Sequence, residues 1–307
     1  MPPAAAKRHA TWHDAGVTTV GIIGGGKAAM LHADTALQMR EIELVGVGGR
    51  PGTADRIAAD AGVPDLALPL ICEADVVIIA VPPSEVAGVT RLIGNEVLGG
   101  APVRAVMIEP PLRLLPEIPI PTVLAANLLH APVVKQALRA IGSMQAPHHL
   151  QLRVRQPVPS WGAHGTPAFG GPLHDPGVRL ASLLLAAAAE TAVHAEQVDI
   201  DGGIHAAIEL ESGRRAGLDV AWVEGSSRIE LEAADDDGVL LLTIDPLPRL
   251  EVDGHPIDPP DLHPLEALGF VGQLDRLSRT ADGAAPWPPA ATGLAIEALF
   301  GLSTDSH

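Results

Sequence analysis

Cysteine is almost missing from this chain: Cys72 is the only one in 307 residues. No internal disulfide can form, and a reducing cytoplasm is the simplest setting for such a sequence. Tyrosine is absent altogether, while Ala, Gly and Pro abound, a compositional bias from which no function is read. Positive charge is also scarce. Twenty Lys and Arg face 37 Asp and Glu, a formal net charge of −17, which argues against a nucleic acid or an anionic membrane surface as partner. Long apolar runs are lacking too. The longest, Leu183–Ala189, runs into Glu190 and falls far short of the ~20 residues that span a bilayer. The opening MPPAAAKRHATWHDAG has no apolar core of a secretory signal, and residues 1–16 are expected to form a flexible lead-in.

The chain does have length and apolar content for more than one core. With 307 residues, 47% of them hydrophobic, two domains are expected. The stretch Val17–Leu37 organises the first. Val20–Ile23 reads as a buried strand, Gly24–Gly25–Gly26–Lys27–Ala28–Ala29 fits G-x-G-x-x-A, and Ala28 to Met39 carries a helical pattern. That order presents backbone N–H groups and the positive end of a helix to a pyrophosphate. The glycines allow a tight turn and close approach, and small Ala29 lets helix pack on strand. Alone, the pattern also fits a plain glycine-rich turn. A second strand at Ile42–Val47 supplies the context of a dinucleotide site.

Strand and helix patterns alternate through residues 17–126. Thr53–Ala61 has helical spacing and ends at Gly62. Asp75–Val81 is a continuous apolar run suited to a parallel strand buried on both faces. Pro82–Pro83 ends it, Ser84 is a possible cap for a helix Glu85–Ile93, and Ala105–Ile108 and Thr122–Ala125 read as further strands. This rhythm predicts an α/β fold with a doubly wound parallel sheet. After Asn127 the pattern changes. Helices are expected at Pro132–Ile141, Gly177–Ala189, Leu265–Thr280 and Ala291–Leu302. Strands are expected at His149–Arg155, Val193–Ile200, Ile204–Leu210, Ala216–Trp222, Arg228–Ala233 and Gly238–Ile244, with turn signals between them, as in a large, open, mostly antiparallel sheet.

An ordered set of motifs then resembles a known family. VGIIGGGKAAMLHA at 20–33, RPGTADRIAADAGVP at 50–64, ADVVIIAVPPSEVAGV at 74–89, VMIEPPL at 106–112, GGPLHDPGVRLASLLL at 170–185 and ESGRRAGLDVAW at 211–222 are similar to the glucose–fructose oxidoreductase / inositol dehydrogenase (Gfo/Idh/MocA) family. The first motif is generic to nucleotide-binding folds; the ordered set is more specific. The resemblance implies a Rossmann domain over 17–126 and a substrate and oligomerisation domain over 127–307. It further implies NADP or NAD chemistry on a sugar-like or other small metabolite, and a homodimer or dimer of dimers through the carboxyl-terminal sheet. The cofactor positions it implies are Gly24, Gly25, Gly26, Lys27, Ala28, Arg50, Val81, Pro82, Glu109 and Pro110.

The departures from the family bear on chemistry. Its Glu-Lys-Pro reads Glu109–Pro110–Pro111 here, so the lysine that helps activate substrate is replaced by a residue with no proton to handle. Its Asp-x-Gly-x-His-x-x-Asp reads Asp175, Gly177, Arg179 and Ser182, so arginine stands where histidine usually serves as acid–base. Arginine stays protonated and can hold an anion but cannot cycle as a base. A histidine common after the Pro-Pro pair is Val86. Candidate catalytic residues are therefore Arg179 for orienting substrate and Asp175, His130 or His174 for proton transfer. Asp175 and Arg179 at i, i+4 also read as a simple helix-face pair.

Several residues admit two readings. Arg50 after Gly49 suits a 2′-phosphate, so NADP(H) is expected to bind more tightly than NAD(H); a solvated loop arginine is the plain alternative. Trp161 in the Gly/Pro loop fits a substrate lid or ordinary packing. His148, His149, His255 and His263 lack the spacing of a zinc helix, and no metal is expected. Asp235–Asp236–Asp237–Gly238 reads as a solvated turn. Two functions fit these residues: an NAD(P)-dependent oxidoreductase with displaced catalytic groups, or a non-redox relative that keeps the cleft for another use.

Overall fold

The computed structural model describes residues 16–145, 147–157, 171–200 and 202–302, without the side chains of Pro69, Leu70 and Asp175. Residues 1–15 and Trp161 thus lie outside the described residues. The chain forms two compact units. One holds the chain up to Ile108 with Pro116–Val123 and Leu274–Trp287; the other holds Glu109–Leu115, Leu124–Gln273 and the chain from Pro288.

In the first unit the apolar runs become strands β1 (Thr18–Ile23), β2 (Ile42–Gly48), β3 (Val76–Ile79), β4 (Ala105–Ile108) and β5 (Thr122–Leu124), in the sheet order β2-β1-β3-β4-β5. The pairs β1–β2, β1–β3 and β3–β4 are parallel. All four residues of β3 are fully buried, as a strand covered on both faces must be. Helices Lys27–Gln38, Ala54–Ala61 and Pro83–Leu98 alternate with the strands, which gives the doubly wound arrangement. The first strand is pinned at its start. Asp75 is buried and accepts from the Thr19 N–H at 2.9 Å and from the Thr19 hydroxyl at 2.8 Å. Arg104 balances that carboxylate at 3.2 Å and reaches Asp282 at 2.7 Å.

Some boundaries differ from the sequence reading. Ser84 does not cap: the third helix begins at Pro83, whose fixed φ and missing N–H suit a first helical position, and it continues to Leu98. Its expected end at Ile93 lies on the buried face, and nothing in the following turn stops it before Gly99. The helix Ala54–Ala61 does end at Gly62, which takes φ 69°.

The second unit is built on an eight-stranded sheet. Its strands are β6 (His149–Pro157), β7 (Ala192–Ile200), β8 (Gly203–Leu210), β9 (Arg215–Val223), β10 (Arg228–Ala234), β11 (Val239–Ile244), β12 (Pro248–Val252) and β13 (His255–Ile257). They lie in the order β13-β12-β11-β10-β6-β9-β8-β7. Among the described residues, neighbouring strands of this sheet pair antiparallel except β6 and β9, which are parallel. Alternation decides the faces. Leu150, Leu152 and Val154 of β6 and Leu218 and Val220 of β9 join one core with Val134, Ala137, Leu183 and Leu184. Burying such a side chain is worth about 1.5–3 kcal/mol. The opposite face carries Gln151, Arg153, Arg155, Asp219, Glu230 and Glu232, with Arg153 on Glu232 at 3.0 Å and His205 on Asp219 at 2.6 Å.

Helix Pro132–Ser143 covers the core face with Val133, Val134, Ala137 and Ile141. The helix expected from Gly177 starts as a π-turn, Leu173–Gly177, and becomes regular over Val178–Ala188. Pro176 lies in that wide turn, where it has no α-helical hydrogen bond to break. The helix expected over Leu265–Thr280 is two, Pro264–Ala267 and Phe270–Ala281. Gly269 separates them at φ 85°, and a Cβ there would lie 2.0 Å from the Asn127 carbonyl oxygen. Only glycine fits that crossing. The last helix is Ala290–Leu299.

Candidate functional site

The first unit shapes a loop at the carboxyl end of β1. Gly24 leaves the strand with φ 152° and donates its N–H to Gly48 of β2 at 2.8 Å. A Cβ at Gly24 would sit 2.2 Å from the Ala80 carbonyl oxygen, and one at Gly25 would sit 2.2 Å from the Thr53 hydroxyl. These two glycines are pressed against protein. Gly26 is the opposite case: nothing lies within 4 Å of a Cβ placed there. It is exposed, it precedes the helix Lys27–Gln38, and its residue type gives the helix no side-chain cap. The helix start therefore faces open space with its dipole and first-turn N–H groups, the geometry that takes a phosphate. Lys27 is exposed and Ala28 half-buried at this opening, while Ala29 is fully buried.

The neighbouring strand ends frame the loop. Gly49, after β2, packs on Gly24, with a built Cβ 3.5 Å from the Gly24 nitrogen. Arg50 follows; its carbonyl accepts from the Thr53 hydroxyl at 2.9 Å and so is tied to the next helix. Its guanidinium is exposed and pairs with Glu85, in the first turn of helix Pro83–Leu98. Glu85 carried no signal in the sequence beyond its place behind the Pro-Pro pair. Val81 and Pro82 lie after β3, half-buried and exposed respectively, and the Ala80 N–H donates to Ile23 at 2.8 Å. These residues set a close backbone approach, a helix start and a cation at one end of the sheet.

The second unit gathers a different set. Glu109, nearly buried, faces Arg179 at 3.6 Å, and Arg179 also donates to the Pro110 carbonyl at 3.4 Å. Arg179 is 38% exposed at its side chain. Asp175 and His174 lie in the π-turn one turn earlier, and the side chain of Asp175 lies outside the described residues. Among the described residues, Arg179 contacts Glu109 and Pro110. Ser182 donates to the Arg179 carbonyl at 2.9 Å. His130 is only 4% exposed, with its backbone under Gly269 and Gly272. His174 is half-buried.

One residue of this unit went unnoticed in the sequence. Glu297, 1% exposed on helix Ala290–Leu299, accepts from the backbone N–H groups of Leu112 and Arg113. It holds the loop that carries Glu109 and Pro110, and Arg113 takes φ 55° there. Burial pushes the Glu297 carboxyl above its ordinary value, against the pull of the two N–H groups. A lone acid inside ALAIEALF was the only available hint. Cys72 stands apart from both sets: burial, helped by Glu96, pushes its thiol up to about 11, which leaves it unreactive near neutrality.

Among the described residues no group of three or more His, Cys, Asp or Glu side chains is placed to hold a metal ion, and no helix is long and apolar enough to cross a membrane. No protein-family model matches the chain, and no curated protein matches it. Solved structures do. UDP-N-acetylglucosamine 3-dehydrogenase GnnA from Acidithiobacillus ferrooxidans is 16% identical with a TM-score of 0.72, over 93% of this chain and 96% of that one. GenD2 from gentamicin A biosynthesis, solved in complex with NAD, is 17% identical with a TM-score of 0.73, over 95% of each chain. A protein described as an NADPH-dependent oxidoreductase, from Desulfitobacterium hafniense, is 14% identical with a TM-score of 0.76, over 94% of each. At these identities the likeness establishes the fold: a Rossmann-like parallel sheet followed by a mixed-sheet domain, shared along nearly the whole chain with dehydrogenases.

Proposed function

We propose that this chain is an NAD(P)-dependent oxidoreductase of the Gfo/Idh/MocA type acting on a sugar-like or other small metabolite. The observation that carries the reading is the contrast within the glycine loop. Gly24 and Gly25 are required by the protein's own packing, whereas Gly26 faces open space at an uncapped helix start. Packing alone gives no reason for a glycine there; a phosphate does. The fold shared with GenD2, solved with NAD, and with the Desulfitobacterium protein supports a nicotinamide cofactor. Arg50 favours NADP(H).

Such a cofactor would supply the hydride donor or acceptor. The chain's own groups must then orient substrate and move a proton. Arg179, charged at any working pH, suits a carboxylate or carbonyl oxygen with its planar donors. The proton falls to His174, His130 or Asp175. His174 is the more accessible of the two histidines, and histidine titrates in the working range. A second copy of the chain is the proposed partner, through the polar face of the eight-stranded sheet, where opposed charges such as Arg153 and Glu232 stand in rows.

The Glu109–Arg179 pair supports a second reading. The family's lysine position holds Pro110 and its histidine position holds Arg179, engaged with Glu109; neither Pro110 nor Arg179 cycles a proton near neutrality. A non-redox relative would look the same. The experiment is to titrate the protein with NADPH and NADH, then assay sugars, cyclitols and keto acids in both directions. Turnover that drops in Arg179→Ala supports the oxidoreductase. Cofactor binding without turnover, with activity created by Pro110→Lys and Arg179→His together, supports the non-redox relative.

A further inference from the structure

We infer that Glu85 sets the cofactor preference of this protein, by holding Arg50 in an ion pair that a 2′-phosphate must displace. The inference rests on the dinucleotide reading of the glycine loop and adds to it a residue that the glycine motif does not contain.

The placement comes from the sheet. β1 lies between β2 and β3, so the ends of those two strands flank the glycine loop, at the point of the sheet where ligands of such folds bind. Arg50 leaves from the β2 side and Glu85 from the β3 side. Their pair therefore bridges two strand spacings, roughly 10 Å, over the carboxyl end of β1. Both backbones are fixed. The Arg50 carbonyl accepts from Thr53, and the Glu85 N–H donates to Pro82 at 2.8 Å. The side chains are not: the Arg50 side chain is 76% exposed and that of Glu85 30%. The two charged ends can part without disturbing either helix.

An exposed pair of this kind is weak. A phosphate dianion offers the same guanidinium two charge-assisted acceptors in its preferred planar geometry. The exchange thus favours a phosphorylated cofactor, but Glu85 taxes it twice, once as competitor for Arg50 and once as a neighbouring negative charge. NAD(H) has no group to exchange and is indifferent to the pair. Glu85 consequently narrows the gap between the two cofactors that Arg50 opens.

The test is a double-mutant cycle read by nicotinamide fluorescence or calorimetry on the full chain, with Kd for NADPH and NADH measured in wild type, Glu85→Gln, Arg50→Ala and the double variant. Glu85→Gln should tighten NADPH by about two- to five-fold and leave NADH unchanged. Arg50→Ala should weaken NADPH by about ten-fold or more, and Glu85→Gln should then tighten it by less than in wild type, because only the direct repulsion of the phosphate is left to relieve. Thermal melting of each variant separates misfolding from a change at the site, and Glu85→Ala repeats the measurement should the glutamine find a new partner. NADPH binding that is unchanged or weaker in Glu85→Gln, or an equal effect in the Arg50→Ala background, overturns the role of Glu85 alone. Failure of wild type to bind either cofactor overturns the dinucleotide reading and the inference with it.

Discussion

The glycine loop of the first unit and the Arg179 cluster of the second are built by different means. At Gly24–Gly26 the backbone does the work: two glycines are pressed on Ala80 and Thr53, the third opens to solvent, and no side chain caps the helix. At Arg179 side chains do it, and they are engaged with each other, the guanidinium between Glu109 and the Pro110 carbonyl. Backbone recognition depends on the fold and survives many substitutions around it. Side-chain chemistry changes with one residue. Under the proposed function, that difference accounts for a glycine loop that fits its motif beside proton-handling positions that read Pro110 and Arg179.

The comparison breaks most visibly at Gly24. Gly24→Ala places a methyl 2.2 Å from the Ala80 carbonyl oxygen, and the unfolding free energy should fall by roughly 2–4 kcal/mol in a denaturant titration. Glu297 is the corresponding structural point of the second unit. Glu297→Leu leaves the Leu112 and Arg113 N–H groups without their acceptor and should cost about 2–3 kcal/mol, with Arg179-dependent activity reduced as the loop loosens.

Glu297 also gives the second unit a pH signature. The folded protein holds this proton more tightly than the unfolded chain does, so unfolding releases it. Its contribution to stability is complete below the ordinary carboxylate range and is lost as pH rises through the raised folded value. Chemical denaturation across that window should show a flatter decline in Glu297→Gln than in wild type. A steeper decline would contradict the assignment. At the smallest end, Gly26→Ala should cost no more than about 1 kcal/mol of stability, because its Cβ meets nothing. It should still weaken NADPH by roughly ten-fold or more where the methyl meets phosphate. Light scattering at micromolar concentration should give a dimer that Arg153→Glu weakens; a wild-type monomer would refute the partner proposed for the sheet.

Much of the first unit was legible because its signals are local. Apolar runs bounded by glycine and proline gave the strands, and Gly62 ended its helix as expected. Where tertiary contacts decide, the sequence was silent. The strands Pro248–Val252 and His255–Ile257 are short and proline-marked; the first forms on the edge that β11 offers and the second on the edge of the first. The break at Gly269 answers to the Asn127 carbonyl, over a hundred residues away. Nothing near Glu85 or Glu297 in sequence names Arg50 or the Leu112 N–H as partner. Arg50 was found as a lone cation and its counter-charge was not.

The most direct test of the account is cofactor binding itself. Wild-type protein titrated with NADPH should show saturable binding at one site per chain, tighter than NADH, and strongly reduced in a folded Gly26→Ala variant. Absence of binding by either cofactor, or binding that Gly26→Ala leaves untouched, would contradict the central claim that this loop holds a dinucleotide.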